Sequence, residues 1–396
     1  MRTGSLLTLS LLFLALAGAA QESKQASMQA PQAQPASPEQ SATAASWHYG
    51  AFLDIGYLWD NSHPANELFR SRGTAYMLDQ PIVNMAAAYV RKSPTVTSRW
   101  GLEFTAQAGQ DTRVFGFSAT APNLAGYRGL RHLGPTDFSY LAPVGKGLTI
   151  QAGIFSSLIG YDSLYTKDNL SYTRPWGADF TPYLMMGVNA SYPLTERLTV
   201  TGFVINDYFH LADPNSTPSW GGQVAYKPAD HWTVKQTFLI GPHQSNTRFE
   251  LWRFLSDSIV EWKRDPFTVA FEYQGAAEKV AAAGNPRAAW MSAQLPAHWA
   301  FNKHWSATLR PEVAWDSDGR WTGFPQTVKA VTSTLEYRIP YRQATAIFRL
   351  ENRFDDSRGP GGGFFRGPAN ALTASQHLLV LAAIFTFDGQ IQPRNK

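Results

Sequence analysis

Residues 153–187 read GIFSSLIGYDSLYTKDNLSYTRPWGADFTPYLMMG. The stretch opens as an alternating, strand-like run, breaks into a long segment rich in Tyr, Asp, Asn and Pro, and resumes as a second alternating run. Period-two alternation marks a strand with one apolar and one polar face. Two such strands around one large insertion point to a hollow sheet with something folded into it.

The same alternation recurs on both sides. In 47–59 (WHYGAFLDIGYLW), Tyr49, Ala51, Leu53, Ile55 and Tyr57 share one face; in 99–109, Trp100, Leu102, Phe104 and Ala106 alternate with Arg99, Glu103, Thr105 and Gln107. In 304–316, Trp305, Leu309, Val313 and Trp315 alternate with Ser306, Thr308, Arg310, Glu312 and Asp316. These segments have the length a tilted strand needs to cross a bilayer. No apolar run beyond the N-terminus approaches the roughly 18–20 residues of a spanning helix.

Strands are expected at about 47–59, 81–92, 97–110, 136–143, 147–156, 183–194, 197–209, 219–229, 231–242, 253–264, 266–276, 288–301, 303–316, 328–341, 343–355 and 374–387. Their connections alternate between tight turns, such as Val144-Gly145-Lys146 and Tyr341-Arg342, and long loops, the third of which is 157–182. Aromatics lie beside the short turns (Trp47, Trp100, Trp232, Trp305, Tyr341) and near the opposite strand ends (Trp59, Trp220, Trp252, Tyr273, Trp290, Trp315). Tyr and Trp favour membrane interfaces because a large apolar ring carries one polar group. The expected fold is therefore all-β: a transmembrane antiparallel up-and-down β-barrel of about 16 strands with short periplasmic turns and long external loops.

Composition agrees. Of 396 residues, 13 are Trp, 16 Tyr and 24 Phe, only 16% are charged, and none is Cys. The missing thiol excludes disulfides, thiolate metal sites and a lipidated cysteine. The net charge of +4 carries no basic runs, so no nucleic-acid partner is expected. Residues 1–20 read as an export signal, with Arg2 before the apolar run 6–16 and small residues near a cleavage point at 19–20. Residues 21–46, rich in Gln, Ala, Ser and Pro, read as a disordered linker, 47–387 as the barrel and 388–396 as a tail. The segment ending in Phe385 and Phe387 resembles the C-terminal strand that the outer-membrane barrel assembly machinery reads.

Asp54-Ile55-Gly56-Tyr57, Asn61, Pro64, Asn66, Arg70, Asn84 and Lys92, followed by Ala152-Gly153, Ile159-Gly160-Tyr161-Asp162, Asn169, Ser171, Arg174 and Gly187, are similar to the OmpL-like β-barrel porins. The resemblance runs from about Trp47 to Phe387. It implies a bacterial outer-membrane porin passing small hydrophilic solutes or ions, with outer-membrane lipids and the assembly machinery as partners and a homo-oligomer as a further candidate. It implies no enzyme activity, cofactor or metal. By analogy with general porins, the third long loop, carrying Asp162, Lys167, Asp168, Arg174 and Asp179, is expected to fold inward and constrict the pore. Arg310, Glu312, Glu336, Arg338, Arg349, Glu351 and Arg353 are expected on the pore wall, the arginines facing the loop's acids across a transverse field. Glu336 and Arg349 also lie opposite each other as a candidate cross-strand pair.

Two alternatives remain open at this point: a closed structural or adhesive barrel, and a barrel lipid hydrolase using His243 and Ser245 of the run His243-Gln244-Ser245-Asn246. Asp355-Asp356 before the Gly-rich run at 359–363 reads as a flexible loop rather than a calcium turn.

Overall fold

The computed structural model describes residues 46–116, 127–209, 211, 217–244, 249–284 and 286–391. The export signal, most of the linker, Ser245 and the end of the tail lie outside the described residues.

Sixteen antiparallel strands form one closed barrel. They are β1 (Trp47–Asp60), β2 (Pro81–Lys92), β3 (Trp100–Ala108), β4 (Leu133–Ala142), β5 (Leu148–Ser156), β6 (Leu184–Pro193), β7 (Leu198–Ile205) and β8 (Ser219–Tyr226). The second half comprises β9 (Trp232–Pro242), β10 (Trp252–Arg264), β11 (Phe267–Lys279), β12 (Arg287–Gln294 resuming as Ala297–Ala300), β13 (Trp305–Asp316), β14 (Gln326–Tyr341), β15 (Ala344–Arg358) and β16 (Ser375–Ile391). Each strand pairs with its chain neighbours, and β1 closes the ring on β16 in the register Trp47↔Ile391 to Asp60↔Leu378. Closure leaves no edge of the barrel sheet unpaired among the described residues. Phe364–Arg366 and Ala371–Thr373 form a separate two-stranded ribbon in the last long loop.

Side-chain exposure is inverted relative to a water-soluble sheet. Along β13, Leu309 is 52% exposed while Arg310 beside it is 1% exposed; along β15, Leu350 is 44% exposed and Arg349 2%. The apolar face points outward, as a barrel in lipid requires, and the charged face points in. Trp100, Tyr140, Tyr226, Trp232, Phe267, Trp305 and Tyr341 stand exposed by the short turns. Trp290 departs from the expected aromatic band: it is buried on the inner face, with the Arg253 guanidinium 5.0 Å from its ring centre.

Several boundaries also differ from expectation; among them, β3 is shorter at both ends (Trp100–Ala108) and β7 stops at Ile205. β12 is interrupted at Leu295-Pro296, where proline has no N–H to offer the ladder. β15 runs on through Arg358, so Asp355 is a buried strand residue rather than part of a loop. β16 extends to Ile391, four residues past the expected end of the barrel.

A buried apolar cluster occupies part of the long-loop half of the lumen. Phe69 from the first long loop, Trp176 from the third and Phe364 from the last meet with ring centres 5.8–6.3 Å apart. Phe155, Ile159, Leu164, Phe180 and Tyr183 continue this buried apolar cluster. No helix among the described residues is long and apolar enough to cross a membrane.

Candidate functional site: a loop bound to the barrel wall

The segment 157–183 lies inside the barrel and is bound to the inward side chains on both of its polar edges. Its backbone N–H groups donate to wall carboxylates: Gly160 to Asp257 (2.9 Å), Tyr161 to Glu272 (3.1 Å), Tyr172 and Thr173 to Glu351 (2.6 and 3.0 Å), and Trp176 to Glu312 (2.5 Å). Its carbonyl oxygens accept from wall arginines. Arg310 reaches Thr173 (2.7 Å); Arg349 reaches Thr166, Asn169 and Ser171 (2.9, 2.6 and 3.1 Å); Arg353 reaches Arg174 (3.2 Å). An irregular backbone has no ladder of its own, so its buried donors and acceptors must be satisfied elsewhere. Here the wall satisfies them, with charge-assisted bonds that are about twice as strong as neutral ones.

The wall residues also neutralise one another. Arg349 pairs with Glu336 (2.7 Å), the residue directly opposite it across the β14–β15 ladder. Arg353 pairs with Asp355 (2.8 Å) and Glu312 (3.0 Å), Arg310 with Glu312 (3.5 Å), and Arg338 with Glu336. The arginines thus bond the loop at its carbonyl oxygens and pair with wall carboxylates, while the Arg310 charge also acts on the loop acid Asp162. Orphan loop carbonyls and wall carboxylates share the same guanidinium donors.

The five expected loop residues separate. Asp162 accepts from Gln294 (2.7 Å). Burial pushes its carboxyl above the ordinary range, opposed by the Arg310 charge and the Gln294 bond. Lys167 pairs with its neighbour Asp168 (2.7 Å). Arg174 and Asp179 face the other loops: Arg174 pairs with Asp111 (2.8 Å) of the second, and Asp179 with Arg72 (3.0 Å) of the first. Asp179 also accepts from Gly73 N–H (3.1 Å), Thr74 Oγ1 (2.5 Å) and Tyr183 Oη (2.9 Å). Loops one, two and three are interlocked by fully buried ion pairs. Arg72 and Asp111 carried no periodic signal and were not among the expected site residues.

A further anchor explains part of the family-like sequence. The Tyr172 hydroxyl donates to Asp54 (2.8 Å) and accepts from Asn84 (2.6 Å), all three fully buried. Gly56 sits beside them on the inner face, where an added Cβ would collide with that hydroxyl. Asp54, Gly56 and Asn84, strung along β1 and β2, form a seat for one loop side chain. Tyr165 is held likewise, its hydroxyl donating to Gln107 (2.7 Å) beside Gly134.

His243 is buried, its Nδ1 3.2 Å from Asp207 Oδ2 and its ring packed near Tyr208 and Phe209. Its expected partner Ser245 lies outside the described residues.

A closed sixteen-stranded barrel, apolar outside and holding an inward loop, defines an outer-membrane protein of the porin class. The family model described as "Putative beta-barrel porin-2, OmpL-like" matches residues 46–387, and the chain belongs to that family. The fold is similar to OmpT, an outer membrane protein of Vibrio cholerae in trimer form, with TM-score 0.56, 10% identity, and 87% of this chain and 100% of that one covered. It is also similar to an anion-selective porin from Comamonas acidovorans (TM-score 0.54, 11% identity, 87% and 100% covered). The OmpF of Salmonella typhi in complex with daunomycin gives TM-score 0.54 and 9% identity, with 88% and 99% covered. None of the curated proteins compared with the chain is detectably similar to it.

Proposed function

We propose that the protein lets small hydrophilic solutes or ions diffuse passively across the bacterial outer membrane through a barrel narrowed by the loop 157–182. The observation that carries this reading is the two-sided binding of that loop, N–H groups to carboxylates and carbonyls to arginines, which fixes it within the lumen. On this reading Asp162, Lys167, Asp168, Arg174 and Asp179 belong to the narrowing loop. Arg310, Glu312, Glu336, Arg338, Arg349, Glu351 and Arg353 form the wall that positions it. Residues 1–20 direct export and are removed, 21–46 link, and the assembly machinery inserts the barrel among outer-membrane lipids. Association of copies, as in the trimeric relative, belongs to the same proposal.

The test is conductance of the purified protein in planar bilayers. Stepwise openings are expected, with larger steps in Glu351→Ala, which loses the acceptor for two loop N–H groups. A closed structural barrel is the second reading, favoured by the zero exposure of Tyr172, Arg174 and Asp179. Complete silence of the wild type, with openings only in Glu351→Ala, would select it.

A further inference from the structure

The inner wall divides into two arcs. Inward side chains of β1–β3 and β8–β15 bond the loop, from Asp54, Asn84 and Gln107 on one side to Thr237, Asp257 and Arg353 on the other. The arc between them, β4–β7, bonds within itself. Asn189 donates to Gln151 (3.0 Å) and Thr201 to Ser191 (3.0 Å), and Thr149, Gln151, Ser191 and Thr199 all keep accessible surface on the lumen side. Every one of these groups is an uncharged hydroxyl or amide. Among the described residues, the inner face of this arc carries one ionisable side chain, Asp137, which is 6% exposed.

The charges flanking the arc are balanced in sign. Arg91 lies opposite Glu103 across the β2–β3 ladder, and Lys167 pairs with Asp168. On the other flank Lys235 lies near both Glu261 and Asp257, and Lys263 follows Glu261 on the same face of β10, so two cations meet two carboxylates. Glu261 also accepts from Tyr161 Oη (2.8 Å). A narrow passage sorts ions when a fixed charge of one sign dominates it. Paired charges cancel at distances beyond the roughly 10 Å over which salt leaves a field felt. Hydroxyls and amides, offering donors and acceptors together, replace the hydration of a neutral polar solute, whereas an ion finds no opposite charge in exchange for its lost water.

We infer that the passage runs along β4–β7 and takes uncharged, hydrogen-bonding solutes in preference to ions of either sign; this rests on the diffusion-channel reading above. The experiment uses the purified full-length protein in liposomes and compares swelling rates in glucose, gluconate and glucosamine, which match in size and differ in charge. Glucose enters several-fold faster than either ion, and the zero-current potential in a KCl gradient stays close to zero. Gln151→Glu and, on the neighbouring strand, Ser191→Asp each shift that potential toward cation preference; Gln151→Lys shifts it toward anions. Strong preference of the wild type for one sign, equal entry of all three solutes, or no shift in any folded variant overturns the inference while leaving a channel in place. Neither swelling nor conductance in any arm overturns the diffusion reading and the inference together.

Discussion

Leu309 and Arg310 are consecutive residues of one strand, yet the leucine is half exposed and the arginine is not exposed at all in practical terms. The two faces of this barrel answer to different media. The outer face is selected by transfer into hydrocarbon, so single residues matter almost independently and polar groups are penalised by depth. The inner face is a packed polar core in which each charge is tolerated only because a specific partner is present. Arg353 is sustained by Asp355, Glu312 and the loop carbonyl of Arg174. Leu350 needs only an apolar surrounding. Cooperativity therefore resides inside.

The sharpest way to break this contrast is Arg353→Ala. It takes the guanidinium from Asp355 and Glu312, leaving Asp355 with the Trp176 indole N–H (2.8 Å) and Glu312 with Arg310 (3.5 Å). Loss of one partner of a buried pair costs about 3–5 kcal/mol. Urea unfolding in vesicles should show that loss, and an effect near zero would mean the inner wall does not act as a network. On the other face, Leu350→Arg should cost about 2–4 kcal/mol if Leu350 sits near the bilayer midplane, falling toward the interfaces. A neutral result, read as unchanged folding yield in vesicles, would place that face against something other than lipid.

Glu351→Gln sharpens the comparison further, since it keeps the shape and one acceptor oxygen while removing the charge. About 1–3 kcal/mol should go, in line with hydrogen bonds to a charged group becoming neutral ones. Open-channel noise should rise as the loop loosens near Thr173. Tyr161→Phe deletes only the hydroxyl bonded to Glu261 and should cost about 1 kcal/mol. A change as large as that of Arg353→Ala would show that the first half of the loop, not the second, is the main attachment.

Most of the barrel was legible in the chain because alternation is a local property: β1 and β2 fall within a residue of the expected spans, and sixteen strands were countable. The Glu336–Arg349 pair was legible as well, since a tight turn fixes the register beside it. The interlocking of the loops was not. Arg72 and Asp179, or Asp111 and Arg174, are far apart in sequence and share no period, so only the tertiary path brings them together. The role of the wall arginines was half legible. Their inward direction follows from alternation, but loop carbonyls as their targets depend on where an aperiodic backbone runs. Trp290 misled for a related reason: position near a strand end does not say which face a ring takes.

The pairing of β1 with β16 has a consequence for biogenesis. The seam joins the two strands furthest apart along the chain, so it forms only when every intervening strand is present. Such contacts carry the greatest loop-closure entropy and come late on a folding route. Until then β1 and β16 each expose a full row of unpaired amides, which hydrocarbon does not tolerate. An incomplete barrel must therefore be shielded at both edges while it waits, and the last strand acts as the clasp that ends this dependence.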